Sequence, residues 1–415
     1  MKTNNNIPAY RFQGYTDAWE LHPLREIGNT YTGLSGKTKD DFGHGDGRFV
    51  TYMNVFSNPI SLPEMVEEVE FDESQNTVRY GDVLFTTSSE TPEEVGMSSV
   101  WLENTENTYL NSFCFGFRPV KKVNPYYLAY LLRSSGMRRK ISFLAQGISR
   151  YNISKTKIME LEISIPNENE QSAIGTFFST LDQHITLHQR KLDMLKEQKK
   201  TCLKLLFPAK GQTKPVLRFQ GFEDDWEKVK LGEIGETFTG LSGKTKEDFG
   251  HGEGKFITYV NVFNNPISDL LGTDRIEVDE SQTNVQFGDI FFTTSSETPE
   301  EVGMSSVWLG NGNNIYLNSF CFGFRPTLKL SNHFMAYVLR STEIRKKFIF
   351  LAQGISRYNI SKTKVMNISI PLPTLPEQES IGTFFQTLDQ EIAQVEDKLA
   401  SLKEMKKTLL RKLFV

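Results

Sequence analysis

The chain has 415 residues, of which 38% are apolar and 24% are charged, a composition typical of a globular protein with two or three domains. Its net charge of −4 excludes a general excess of positive charge that could hold nucleic acid over the whole surface. The polar start MKTNNNIPAY, the absence of a long apolar run and the odd count of 3 cysteines argue against export, membrane insertion and a disulfide framework. We therefore expect a cytoplasmic protein.

An internal repeat organises the chain. An offset of 207 residues carries Pro8–Phe207 onto Pro215–Phe414 without an insertion or deletion. Thr86–Leu102 recurs unchanged at Thr293–Leu309, and Phe143–Lys157 recurs unchanged at Phe350–Lys364. This period is far longer than the roughly 20–50 residues of a solenoid unit, so it indicates a duplicated half-molecule.

The repeat predicts two similar α+β heads, at residues 1–166 and 218–373. Short β-rich runs alternate with Gly/Asn/Asp turns, as at Asp82–Thr87 and Tyr109–Arg118, and one helical stretch, Pro125–Arg139, interrupts them. A linker rich in Pro, Gly and Lys follows the first half, within residues 208–217.

Each half ends in a predicted long helix, at residues 167–207 and 374–415. Apolar side chains recur there at alternating spacings of four and three residues, which is the pattern of a coiled-coil seam. An amphipathic surface helix is the simpler alternative, but its period of 3.6 would drift along a stripe of this length. We therefore expect the two helices to pair antiparallel as a long two-helix coiled coil between the heads, with an internal pseudo-twofold repeat, through Ile174, Phe178, Leu181, Ile185, Leu192, Leu195, Ile381, Phe385, Leu388, Ile392, Leu399 and Leu402.

No catalytic motif is complete. Ser35–Thr38 (SGKT) has the end of a phosphate-binding loop, but Tyr31 stands where that loop requires glycine. His44 lies in a Gly-His-Gly loop without a second ligand at metal-binding spacing, and Cys114 belongs to an apolar strand. The sequence therefore predicts neither an enzyme nor a metal site.

The segments that are identical in both copies are mostly polar, while the rest of the two halves has diverged. Lysine and serine suit phosphate oxygens, whereas arginine, asparagine, tyrosine and glutamate suit base edges or stacking. Solvated turns are the alternative for each segment taken alone. The predicted DNA-binding residues are Lys37, Lys39, Ser88, Ser89, Glu90, Ser149, Arg150, Tyr151, Asn152, Ser154, Lys155 and Lys157, with Lys244, Lys246, Ser295, Ser296, Glu297, Ser356, Arg357, Tyr358, Asn359, Ser361, Lys362 and Lys364 in the second copy.

The whole chain resembles the specificity (S) subunits of type I restriction–modification systems. The head openings RFQGYTDAWE and RFQGFEDDWE carry the resemblance, as do Gln146–Lys157 followed by Glu170–Gly175 and Gln353–Lys364 followed by Pro371–Gly382. The first exit departs from the family pattern, since IPNENEQ has only Pro166 where IPLPTLPEQ has three prolines.

The resemblance implies a non-catalytic DNA reader whose heads are target recognition domains. It implies that the helices recruit two methyltransferase subunits, that restriction subunits join the full complex, and that S-adenosylmethionine, ATP and Mg²⁺ are used by those partners and not by this chain. Because the candidate loops are the same in both heads, we expect an interrupted palindromic target on double-stranded DNA. An adaptor whose heads bind proteins is the alternative function.

Overall fold

The structure, a computed structural model, describes residues 6–415 and contains two compact units. Unit 1 comprises the chain up to Gln189 together with Asp397–Val415, and unit 2 comprises Arg190–Glu396. The end of the chain therefore packs with the first head. No helix within residues 6–415 is long and apolar enough to cross a membrane.

The head of unit 1 is built on a four-stranded and a three-stranded sheet, with two further strand pairs. Its strands are β1 (Glu20–Pro23), β2 (Gly28–Thr32), β3 (Phe42–Val50), β4 (Val66–Val69), β5 (Val83–Thr86), β6 (Ser88–Ser89), β7 (Ser98–Val100), β8 (Thr108–Leu110), β9 (Cys114–Pro119), β10 (Tyr151–Asn152) and β11 (Glu162–Ile165). The four-stranded sheet has the order β2-β9-β5-β7 and is antiparallel throughout. The three-stranded sheet has the order β4-β3-β8, in which β3 and β8 run parallel.

Alternating side chains of β5 supply two separate cores. Val83 and Phe85 point into the larger cluster with the helices, whereas Leu84 points into a second cluster with Trp101 and Leu110. Successive strand residues face opposite sides of a sheet, so a continuous apolar run is what a strand covered on both faces requires.

Five short helices cover the head of unit 1: α1 (Leu24–Ile27), α2 (Tyr52–Ser57), α3 (Pro125–Leu131), α4 (Ser135–Phe143) and α5 (Lys155–Met159). The single helix predicted at Pro125–Arg139 was wrong. Ser134 has an extended backbone, which separates α3 from α4. Its side chain accepts a hydrogen bond from Met137 N and so caps the N-terminus of α4.

Unit 2 repeats this head with the same sheet orders, β13-β20-β16-β18 and β15-β14-β19. Its strands are β12 (Glu227–Lys230), β13 (Gly235–Thr239), β14 (Phe249–Ile257), β15 (Thr273–Ile276), β16 (Ile290–Thr293), β17 (Ser295–Ser296), β18 (Ser305–Val307), β19 (Ile315–Leu317), β20 (Cys321–Pro326), β21 (Tyr358–Asn359) and β22 (Ser369–Leu372). The long helix α6 (Glu168–Leu205) precedes them, and the remaining helices are α7 (Tyr259–Asn264), α8 (Asn332–Val338), α9 (Thr342–Leu351), α10 (Lys362–Met366) and α11 (Leu375–Lys412).

The first half of α6 pairs with the last part of α11 in unit 1. Phe178 stacks on Phe414 with ring centroids 5.7 Å apart, and Lys406 Nζ lies 2.5 Å from Asp182 Oδ1. Later residues of α6 thus meet earlier residues of α11, so the segments are antiparallel.

Unit 2 contains the same contacts with the two helices exchanged. Phe207 stacks on Phe385 at 6.0 Å, and Lys199 Nζ lies 2.5 Å from Asp389 Oδ1. The predicted antiparallel pairing is confirmed. Of the predicted seam residues, Ile185 is half-buried and the others are buried.

The first turn of α6 is anchored to the head by a buried carboxylate. Glu170 is fully buried and accepts hydrogen bonds from Arg11 Nε at 2.7 Å and from Trp19 Nε1 at 3.2 Å. Glu377 and Arg218 repeat the arginine contact at 2.7 Å in unit 2. This contact fixes the point at which each long helix leaves its head.

Candidate nucleic-acid interface

The phenylalanine turn, Asn111–Cys114, lies at the centre of the candidate interface in unit 1. It joins β8 to β9, and Phe113 N donates to Asn111 Oδ1 at 2.9 Å while Cys114 N donates to Asn111 O at 3.0 Å. These bonds hold the turn tightly and leave the Phe113 side chain exposed.

The lysine loop, Thr32–Lys39, packs directly against this turn. Leu34 N donates to Leu110 O at 2.8 Å. A side chain at Gly33 would place its Cβ 2.2 Å from Asn111 O, so glycine is needed for the close approach of the two segments.

The serine segment, Thr86–Glu90, also contacts the phenylalanine turn. Thr87 donates to Phe113 O through both its backbone N, at 2.9 Å, and its hydroxyl, at 2.8 Å. Thr87 O in turn accepts from Ile153 N at 2.9 Å, and β6 pairs with β10 so that Ser89 faces Tyr151.

The arginine loop, Gln146–Asn152, is a hairpin that presents its tip to solvent. Gln146 and Asn152 exchange two backbone hydrogen bonds, at 2.8 and 2.9 Å. Gly147 adopts a φ of 139°, a conformation that other residues rarely adopt. The guanidinium carbon of Arg150 lies 6.0 Å from the centre of the Phe113 ring. The structure therefore brings all three predicted segments together around Asn111–Cys114.

The predicted residues differ in exposure. Buried serines lie on β6 and β17, and Ser89 Oγ donates to Glu94 Oε2 at 3.3 Å, as Ser296 Oγ does to Glu301 Oε2 at 3.0 Å. The buried residues are Ser88, Ser89, Ser295 and Ser296. The half-buried ones are Lys37, Tyr151, Ser154, Lys155, Lys244, Tyr358 and Lys362, and the exposed ones are Lys39, Glu90, Ser149, Arg150, Asn152, Lys157, Lys246, Glu297, Ser356, Arg357, Asn359, Ser361 and Lys364.

Carboxylates balance the charge of one lysine in each lysine loop. Lys37 Nζ lies 3.2 Å from Asp72 Oδ2 and 3.8 Å from Asp41 Oδ1. Hydrogen bonds from Ser74, Gln75 and Lys37 hold the pKa of Asp72 well below its usual range, so this carboxylate stays charged.

The second lysine loop has the same pairing, with Lys244 Nζ 2.8 Å from Asp279 Oδ2, and the hydrogen bond to Asp279 raises the pKa of Lys244. Lys39 and Lys246, in contrast, are exposed and form no ion pair within residues 6–415.

Two further arginines are used inside the head. The Arg133 guanidinium donates to the carbonyls of Val55, Phe56, Asn58 and Ser98 at 2.6–3.0 Å. Arg138 donates to the carbonyls of Glu93, Val95 and Gly96 at 2.6–2.8 Å and so supports the segment that follows Glu90. Both guanidinium groups are therefore occupied by carbonyls of the head itself.

Sequence reasoning missed the phenylalanine turn and the apolar residues around the arginine loop. Phe113, Phe143 and Ile148 are exposed, as are Phe320, Phe350 and Ile355 in unit 2. The available signal is the segment NSFCFGFRP, which is identical at Asn111–Pro119 and Asn318–Pro326 but whose apolar pattern by itself predicts only a buried strand. Cys114, Cys202 and Cys321 are buried free thiols, and the described residues contain no cluster of His, Cys, Asp and Glu suited to a metal ion.

The sequence matches a known family in both halves. The family described as "Type I restriction modification DNA specificity domain" matches residues 16–197 and again residues 223–404. The specificity subunit assigned to the type I restriction enzyme MjaX of Methanocaldococcus jannaschii is 24% identical over 94% of this chain and 92% of its own length. The type I restriction enzyme EcoKI specificity subunit of Escherichia coli is 24% identical over 96% of this chain and 89% of its own length.

Solved structures show that the fold is shared as well. The type I restriction-modification S subunit from M. genitalium has a TM-score of 0.58 at 16% identity and covers 99% of both chains. A chain from a structure describing complex assembly of the type I R-M system has a TM-score of 0.55 at 19% identity, over 94% of this chain and 96% of its own. The matches in both halves, over almost the whole chain, establish that this protein belongs to the family of type I restriction–modification specificity subunits, which recognise DNA and are not the catalytic subunits.

Proposed function

We propose that this specificity subunit reads an interrupted palindrome, with one half-site contacted by each head. The observation that carries the proposal is the convergence, in each unit, of three segments that are identical in both copies around Asn111–Cys114 or Asn318–Cys321. Identical side chains held in identical backbone geometry present the same donors and acceptors, and therefore select the same bases.

The exposed groups suit the edges of base pairs. The Arg150 guanidinium can donate two parallel hydrogen bonds to guanine O6 and N7, and Glu90 can accept from cytosine N4. Lys39 and Lys157, which are exposed, suit phosphate oxygens and would set the position of the head on the duplex.

We infer the orientation of the half-sites from the repeat and the antiparallel helices. Each unit, taken by itself, contains the same contacts between α6 and α11 with the two helices exchanged. We infer half-sites of inverted orientation, with centres roughly 34 Å apart, as in dimeric readers of palindromes.

The long helices are proposed to recruit two methyltransferase subunits, with restriction subunits joining the full complex. Exposed Leu187 and Met194 on α6 and Met405 on α11 provide apolar surface for such partners. S-adenosylmethionine, ATP and Mg²⁺ then belong to the partner subunits.

Mapping methylated adenines by single-molecule sequencing in cells that contain the complex tests the palindrome. We expect one interrupted motif that equals its own reverse complement. A bipartite motif with two different half-sites would show that the identical loops do not set specificity.

Salt titration of DNA binding separates this function from that of a protein adaptor. A subunit that contacts phosphates loses affinity steeply as salt rises, because binding releases counterions. Measurements with and without methyltransferase subunits should both show this dependence if the heads themselves hold the DNA.

A further inference from the structure

Among residues 6–415, the most exposed apolar side chain of each head lies at the tip of the arginine loop. Ile148 is 95% exposed and Ile355 is 96% exposed. Ile148 follows Gly147, whose φ of 139° turns the chain at the start of the hairpin. The next two residues, Ser149 and Arg150, are also exposed. An isoleucine this exposed gains almost nothing from burial, so the position does not serve the stability of the head.

The duplication shows that this exposure is retained selectively. Most exposed large apolar residues have a different residue type in the other copy. Leu62 corresponds to Asp269, and Leu271 corresponds to Glu64. Among the described residues, three pairs are exposed in both units and identical in type: Phe113 with Phe320, Phe143 with Phe350, and Ile148 with Ile355. All three pairs lie in or beside the arginine loop and the phenylalanine turn.

The surroundings of Ile148 favour DNA as the occupant over another protein. Arg150, two residues away, is exposed and held over the Phe113 ring, which leaves its outer N–H groups free to meet an acceptor. An apolar tip beside a guanidinium matches the major-groove edge of a thymine next to a guanine, where a methyl group adjoins the O6 and N7 acceptors. Isoleucine is stiff at χ1, so little side-chain entropy is lost when it contacts such a methyl group.

We propose that Ile148 and Ile355 are specificity-determining residues that contact the 5-methyl group of a thymine in each half-site, beside the base pair contacted by Arg150 or Arg357. This inference rests on the proposed function and adds a base to each half-site that the polar residues alone do not select.

Replacing thymidine with deoxyuridine tests the contact, since the change removes only the 5-methyl group of the base. The full chain in complex with its methyltransferase subunits is titrated with a duplex containing the mapped target, and each half-site thymine is replaced in turn. We expect one position at which the wild-type complex binds the substituted duplex about fourfold more weakly per half-site. This is the affinity lost when one methyl group is no longer buried. The double variant Ile148→Ala with Ile355→Ala should bind the thymine and deoxyuridine duplexes equally.

Leu271→Ala is the matched control, because Leu271 is 89% exposed but has Glu64 as its counterpart. It should retain the full sensitivity to deoxyuridine. Three results would overturn this inference and leave the proposed function intact. The wild type could bind both duplexes equally, the half-sites could contain no thymine, or the double variant could remain sensitive to the methyl group. Loss of methyltransferase assembly in the double variant would instead assign the tip to a protein partner. A wild-type complex without salt-dependent affinity for the mapped target would overturn the proposed function as well.

Discussion

Neighbouring lysines in the lysine loop have different electrostatic surroundings. Lys37 is paired with Asp72 and Asp41, whereas Lys39 is exposed without an ion pair in the described structure. We expect Lys39→Ala with Lys246→Ala to lower the slope of log affinity against log salt by about 0.9 for each phosphate that the variant no longer neutralises. Lys37→Ala with Lys244→Ala should change this slope less, because these two lysines are already paired with Asp72 and Asp279. The sequence alone does not distinguish the two kinds of lysine. DNA-binding titrations between about 50 and 200 mM salt measure both slopes.

Arg150 is the residue whose loss should affect base selection most. Arg150→Ala with Arg357→Ala should cost about 1–3 kcal/mol of binding free energy per half-site and relax selection at one guanine of each half-site. Competition binding against targets substituted at each position measures both effects. Arg139→Ala with Lys346→Ala removes exposed charges of α4 and α9 outside the loops and should leave selection unchanged. Unaltered selection in the Arg150 and Arg357 variant would assign the arginine loop a structural role.

Asp82 is a buried carboxylate at the centre of a hydrogen-bond network in the first head. It is 1% exposed and accepts from Arg118 Nη2 at 2.6 Å, Tyr31 Oη at 2.7 Å and Arg79 N at 2.8 Å. Asp82→Ala should lower the free energy of unfolding by about 3–5 kcal/mol, because it leaves the donors and the arginine charge without their partner.

Tyr31→Phe is the internal control for this network, since Phe238 occupies the same position in unit 2. That change should cost only about 1 kcal/mol, the net value of one hydrogen bond. Chemical denaturation of the full chain compares the two variants. Equal decreases in stability would mean that the Asp82–Arg118 ion pair adds nothing beyond a single hydrogen bond.

At the scale of elements, the paired helices connect folding to assembly. Leu402 on α11 is buried in the core of unit 1, which also contains Leu181 of α6. Leu402→Asp places an unpaired charge in this core, so the free energy of unfolding should fall by several kcal/mol and methyltransferase subunits should no longer bind. Ser401→Asp adds the same charge at an exposed neighbouring position and should alter neither. Thermal unfolding and size-exclusion chromatography measure the outcomes, and intact assembly of the Leu402 variant would contradict the role of the pairing.

At the scale of the whole molecule, the duplication predicts that half the chain can assemble with itself. In unit 1, Leu402, Leu413 and Phe414 of the C-terminal segment complete the core. Their counterparts at an offset of 207 residues are Leu195, Leu206 and Phe207, which are identical in type. A fragment ending at Lys214 therefore carries both sides of the helix contact and should form a homodimer, with Phe207 of each copy stacked on Phe178 of the other.

Sedimentation equilibrium of this fragment measures the expected dimer. Leu195→Asp in the same fragment should prevent association, since it puts a charge into the shared core. A stably folded monomer of the unmodified fragment would contradict the exchanged packing of the helices.

The duplicated organisation, the long paired helices and the family were all determined by the sequence itself. The repeat is a direct property of the residue order, and the seam from Ile174 to Leu195 is a periodic pattern of near neighbours, so neither depends on distant contacts. The polar segments identical in both copies also identified the arginine loop as a candidate, including exposed Arg150.

Only the tertiary structure decided which distant segments meet. It pairs Lys37 with Asp72, buries Ser88 and Ser89 beside the strand that carries Tyr151, and gathers three segments around Asn111–Cys114. It also places Asp397–Val415 with the first head, although the repeat assigns those residues to the second half. Such contacts depend on how antiparallel helices and sheet edges bring residues together across long stretches of chain, and no local pattern of side chains encodes that proximity.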